Sequence, residues 1–306
     1  MRYFVLKSVV FVLLIFGCKK EETKLQQQSS ISIQQRDNTS KEELIYIEGD
    51  NIWVRSKPKK GKVILKLSNG VVCTLQKKGD LDTIRGYIDN WYQIKYKDSI
   101  GWVFGSQTTL KSEDSKRTQL FLQQSNQFLE ALISKDFKTL NSLILENEPV
   151  HCVLATSTND YLRTTITNDL EKTTEKFYDV KDLLNYIPKI YTSESKISYL
   201  NLLENEYARE PYPITTFGVF YERLYDGNNY ISSYEKWQIE SDLIVSDNPE
   251  QIKNEHLKYV KREKETQFRL IVALVKPTDD DPLYQFYFYF RKGKWYLSGI
   301  HHPSRN

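Results

Sequence analysis

Three cysteines, four histidines and 40 carboxylates are the raw material for several chemistries, and spacing decides which of them this chain can use. A Cys-His hydrolase needs a thiol at a helix start and an imidazole delivered from another element. Cys152 has His151 beside it in PVHCVLA, but neighbours along a strand point to opposite faces. His256, His301 and His302 stand elsewhere with no hydrolase signature around them. Metal binding needs clustered His, Cys or carboxylate ligands. The densest group, Asp279-Asp280-Asp281, sits between Pro277 and Pro282 and reads as a solvated turn. No glycine-rich phosphate loop is present. The expectation is a chain with no active site, no cofactor and no bound metal, and therefore not an enzyme. The chemistry left is recognition. Trp53, Arg55, Tyr92 and Tyr96 are the candidates for a polar–aromatic ligand groove, because Arg and Tyr are favoured at interfaces.

The elements that would position these residues follow from composition and pattern. The chain has 306 residues, 40% hydrophobic and 27% charged, enough for about two soluble domains. Its 21 Tyr and 14 Phe favour strands. Net charge is +3, and removal of Arg2 and Lys7 with an N-terminal leader leaves +1. With the signs mixed along the chain, nucleic acid is not an expected partner. Cys73, in VVCTL, and Cys152 read as small buried apolar residues. An exported chain could join them in a disulfide, although they fall in different expected domains.

Arg2 and Lys7 precede an apolar run that ends in Ile15-Phe16-Gly17-Cys18. The run is too short for a comfortable membrane span, which needs about 20 apolar residues, and fits a secretory signal. Its ending resembles the lipobox of bacterial lipoproteins, with Phe16 bulkier than that pattern usually carries. The resemblance implies cleavage after residue 17, diacylglycerol and palmitate on Cys18, and anchorage by several acyl chains at about 0.8 kcal/mol per buried methylene. No Asp follows Cys18. The Lys19-Lys20-Glu21-Glu22 that does resembles the export tag of surface-displayed lipoproteins in some Gram-negative bacteria. The implied place is the cell envelope, as an outer-membrane lipoprotein with outward display.

Residues 18–43 are rich in Gln, Ser, Lys and Glu and have no apolar period, so they read as a stalk. A random coil of that length reaches roughly 25–30 Å. Residues 44–110 alternate in short runs between turn signals, the mark of a small all-β unit. Ile52 and Val54 flank an outward Trp53, Asn69-Gly70 marks a tight turn, and Trp91, Tyr92 and Ile94 make a later strand. IWVRSKP, KVILKLSNGVVCTL, NWYQI and GWV, in that order, resemble the strands of bacterial SH3-like domains. That resemblance implies a barrel that binds peptidoglycan or a protein partner, with Trp91 and Trp102 in its framework.

Residues 111–118 read as a linker with a helix start. Leu120, Phe121, Phe128, Leu129, Leu132 and Ile133 then recur at helical spacing, and Asp136 can cap a second helix. A further helical stretch covers 168–187, with a restart at Asp179 and a stop at Pro188. Residues 214–224, 233–245 and 267–275 look β-rich, and LYQFYFYF and KWYLSGI flank a turn as a hairpin. Helices followed by a sheet and this hairpin resemble the nuclear-transport-factor-like cone fold, whose pocket Phe217, Tyr221, Trp237 and Trp295 could line, although they read first as core. The expected architecture is a leader at 1–17, a lipidated stalk at 18–43, a small all-β SH3-like barrel at 44–110 and, at 116–306, an α+β domain with N-terminal helices on a curved antiparallel sheet. The expected function is envelope binding, with a membrane held through Cys18. The alternative is an interaction lipoprotein whose C-terminal domain binds the partner while the barrel only packs against it.

Overall fold

A computed structural model describes residues 42–156, 159–200, 217–225, 230–244, 248–274 and 283–302. Cys18, the stalk before residue 42 and the three-aspartate loop lie outside them. The first layer is a curled antiparallel sheet of six strands: β1 (Leu44–Tyr46), β2 (Ile52–Arg55), β3 (Val63–Leu67), β4 (Val72–Ile84), β5 (Tyr87–Tyr96) and β6 (Ser99–Phe104), in the order β1-β4-β5-β6-β2-β3. Alternate side chains turn inward, as a half-buried strand requires. Ile45, Ile47, Ile52, Val54, Leu67, Cys73, Tyr92, Ile94 and Val103 make one core. The central hairpin is longer than the alternation suggested. β4 bends at two register shifts, and β4 and β5 meet in a two-residue turn at Arg85 and Gly86, both at positive φ, the conformation such hairpins favour.

The expected linker is instead a joint. Ser112 accepts a hydrogen bond from the Ser115 amide as the cap of α1 (Glu113–Ser134), while its own hydroxyl donates to Ile88 O and its amide to Asp89. Lys135 ends α1 in a left-handed conformation, and Asp136 caps α2 (Phe137–Asn141) as expected. α3 (Leu170–Lys176), capped by Asp169, and α4 (Tyr178–Tyr186) break at Phe177, and Pro188 sits in the closing turn.

Seven strands form the second sheet: β7 (Val150–Thr156), β8 (Asn159–Thr167), β9 (Ser198–Tyr199), β10 (Gly218–Arg223), β11 (Thr266–Ala273), β12 (Leu283–Arg291) and β13 (Lys294–His301), in the order β8-β7-β13-β12-β11-β10-β9. It is mixed rather than antiparallel, because β7 runs parallel to β13 and β9 parallel to β10. One face takes α1–α4. There Phe121 stacks on Phe268 at 4.4 Å and meets Phe288 and Trp295 edge-on, and Phe128 meets Phe286. Tyr287 and Val153 point to the other face, against Ile231 of α5 (Tyr230–Glu240) and Tyr259 of α6 (Pro249–Lys264).

Two expectations fail here. Residues 233–240 belong to a helix, not a strand. The buried positions of α5 include Ser232, Glu235 and Gln238, at helical spacing but polar, so the apolar period was hidden behind Tyr, Trp and Ile with their strand preference. The core reading of the four aromatics holds for only two of them, and the four share no pocket wall. Phe217 and Trp237 are 57% and 53% exposed, while Tyr221 and Trp295 are buried in the core. Between α1–α4 and the sheet lies a cavity of about 20 Å³ lined by Phe128, Leu132, Leu140, Leu183 and Phe286 among others. That is room for little more than one water. Cys73 and Cys152 are both buried and free, one in each layer, so the disulfide does not form.

Candidate functional site

Opposed residues in a β-ladder share a face. The pairs Lys77–Gln93, Gln93–Trp102, Trp102–Arg55 and Arg55–Val63 therefore run as one row across the outer face of the curled sheet, and Trp53 opposes Lys66 beside it. Trp53 is 47% exposed, and the Arg55 guanidinium lies 5.0 Å from its ring centroid. Arg55 is held there by donating to Gly61 O at 2.7 Å. Trp102 lies across Gly79, where a Cβ would come within 2.6 Å of the indole, so only glycine admits the ring. Trp91 is buried, donating to Asp82 at 2.9 Å and packing on Phe104.

The expected ligand set divides. Trp53 and Arg55 stand together on the outer face. Tyr92 is core, its hydroxyl donating to Leu110 O, and Tyr96 is partly buried against the same core. Strand parity is the reason: Ile94 points inward, and residues two away on either side must follow it. What sequence reading missed is the charge beside Trp53. From residue 55 to 66 the chain carries Arg55, Lys57, Lys59, Lys60, Lys62 and Lys66 and no acid, a local excess hidden by the near balance of the whole. All five lysines are exposed.

A second cluster lies where α5 and α6 cover the large sheet. Glu235, fully buried, takes Nδ1 of His151 at 2.5 Å and Nδ1 of His256 at 3.0 Å on its two oxygens. His151 stacks on Tyr259 at 4.0 Å. Burial pushes the Glu235 carboxyl up, but the two histidine hydrogen bonds outweigh it and hold it below its ordinary value. Burial holds His151 below the usual imidazole range although Glu235 pulls the other way. The pair is therefore a carboxylate accepting from a neutral imidazole, and it joins β7 to α5 and, through His256, α5 to α6. Among the described residues no group of His, Cys, Asp or Glu could hold a metal ion, and no helix is long and apolar enough to cross a membrane.

Glu263 of α6 stands differently. Burial raises its carboxyl to about 7, with one oxygen facing the Ser232 amide and the other without a partner. An acid raised in the folded state stabilises the fold below its ordinary range, and that stability is lost as pH climbs from about 4.5 to about 7. Glu263→Gln is expected to leave stability unchanged near pH 4.5 and to raise it by roughly 2 kcal/mol at pH 8. Urea titrations at the two pH values check this, and an equal change at both removes the assignment.

No family model matches the chain, and neither curated proteins nor solved structures gave a match.

Proposed function

We propose that the chain is a lipid-anchored binding protein of the bacterial cell envelope, held by acylated Cys18 and contacting peptidoglycan or an envelope protein through the outer face of an SH3-like barrel. The observation that carries this reading is the pairing of a half-exposed Trp53 with the Arg55 guanidinium above it, on a face that also presents Trp102. An exposed indole braced by a cation is a costly surface unless it meets a partner, and Trp and Arg are the residues on which binding energy concentrates. The curled six-stranded sheet, with its inward core, supports the barrel reading. The hydrogen bonds from the larger sheet reach the curled sheet at Arg85 and Gly86 of the β4–β5 turn, not at Trp53, which is 47% exposed; this favours a recognition role over packing.

Purified lipidated protein should pellet with cell-wall sacculi, and Trp53→Ala should weaken that pelleting by about tenfold or more. A palmitate analogue fed to cells should label the protein and fail to label Cys18→Ser. Absent labelling ends the anchor reading. Equal pelleting by the Trp53 variant, or none by the wild type, ends the wall reading, and capture of an envelope protein lost in Trp53→Ala would name the alternative partner.

A further inference from the structure

The strand that borders the Trp53 face has an open side. β3 ends the curled sheet: β2 pairs with one side of it, and among the described residues no strand pairs with the other. An open edge presents a row of amide donors and carbonyl acceptors to any extended chain that can approach. Here approach is governed by charge. Lys62 immediately precedes the strand, Lys66 lies within it, and Lys57 and Lys60 stand in the preceding loop. Among the described residues none of the four has an ion-pair partner, whereas Lys59 lies 3.5 Å from Asp82. Val63 and Ile64 are 39% and 45% exposed on the same strand, so the edge offers apolar contact as well.

From this we infer that β3 takes up an acidic, extended peptide as an added strand, its carboxylates meeting Lys62, Lys66 and the lysines of the loop. The inference rests on the reading of the curled sheet as a binding module and specifies the partner. The physical case is one of exclusion as much as attraction. A second copy of this edge would bring lysines against lysines, so the charges that admit an acidic strand also keep the sheet from pairing with itself. A lipid surface could neutralise the lysines but could not satisfy the open amides and carbonyls. A single-stranded nucleic acid would need open aromatic platforms, and Arg55 already covers one face of Trp53. Strand addition uses both features together, with backbone hydrogen bonds for affinity and side-chain charge for selection.

The test uses the chain from Lys19 onward, which contains the compact unit Glu42–Asn306 entire. A fluorescein-labelled decapeptide of alternating Thr and Glu should bind, and more weakly as salt is raised. The same peptide with Lys for Glu should not bind, nor should the Glu peptide N-methylated at alternate residues. The double variant Lys62→Glu/Lys66→Glu, at two exposed positions, should weaken binding about tenfold or more. The inference is overturned if the Glu peptide does not bind, if the N-methylated or Lys peptide binds equally well, or if the double variant is unaffected. It is also overturned if vesicles of phosphatidylcholine and phosphatidylglycerol bind in place of the peptide. Trp53→Ala leaves the edge strand intact, so the two readings fail separately: wall pelleting unchanged in Trp53→Ala ends the wall reading whatever the peptide does, whereas absence of Glu-peptide binding to the wild-type chain ends this one whatever the wall does.

Discussion

Glu235→Ala should cost about 2–3 kcal/mol of stability, because it removes a charged acceptor and leaves a buried imidazole N–H without a partner. The variant leaves the His151 Nδ1–H facing an empty, water-excluded space, since His151 is 1% exposed. It also cuts the bond between α5 and α6 that runs through His256. Glu235→Gln should cost clearly less. Its amide retains an acceptor for one imidazole and offers a donor that a neutral second imidazole can accept. A urea titration at pH 7 measures both, and a loss below about 1 kcal/mol for the alanine variant would show that the cluster is not what fastens these helices. The pH dependence has a definite sign. His151 is held low by burial, so folding stability falls as pH drops below the ordinary imidazole value of 6.5, where only the unfolded chain readily takes the proton. His301, pushed down to about 3 by burial and by His302, acts in the same direction. Glu235 adds its own loss further down, as pH falls below the ordinary carboxyl value of 4.5. Glu263 opposes these losses between about pH 7 and 4.5, so acid should loosen the α5–α6 side once pH falls below about 4.5, where its gain is complete.

Arg223→Ala should cost about 3 kcal/mol, at the low end for breaking a buried pair because its partner Asp114 is one-third exposed. Arg223 donates to both Asp114 oxygens, at 2.8 and 2.6 Å, and to Gly86 O at 2.8 Å. Tyr221, two residues earlier on β10, donates to Arg85 O at 2.7 Å. These bonds seize the tip of the β4–β5 hairpin, where Gly86 lies close to Tyr199 and Tyr221 in a left-handed conformation that would strain any larger residue. The expected result is loss of amide-exchange protection at the hairpin tip and the first turn of α1, with the two sheet cores less affected. Arg223→Lys should behave almost as badly, because a point charge cannot span two carboxylate oxygens and a carbonyl. Uniform loss of protection through both sheets would mean that the joint and the cores melt as one.

Much of the architecture could be read from spacing. The helical recurrence of Phe121, Phe128, Leu129 and Leu132 reports burial against a sheet, and the alternating aromatics of residues 284–290 report a strand covered on both faces. Local chemistry was also legible: Asp136 and Pro188 stand where a cap and a stop were expected. What failed was pattern carried by polar residues. α5 buries Ser232, Glu235 and Gln238 because their partners, Glu263, His151 and Thr164, come from distant parts of the chain. No local window contains that reason. Tyr92 and Tyr96 are a different case. Their inward direction follows from Ile94 by parity alone, so the sequence excluded them from an outer groove beside Trp53 before any coordinates did. The candidate face was therefore half legible: Trp53 and Arg55 from alternation, the lysines only once β3 was known to be an edge.

The parallel pairing of β7 with β13 has a consequence for how the molecule comes into being. β13 bridges β7 and β12 near the middle of the larger sheet, yet it is synthesised after every other described strand. Until it arrives, the β7–β8 hairpin and the block from β9 to β12 have no ladder joining them, and the aromatic interior lacks Trp295, Leu297 and Ile300. A nascent chain thus cannot close its larger sheet until the last strand has been made. A frameshift near the 3′ end of its message would remove the keystone rather than trim an edge.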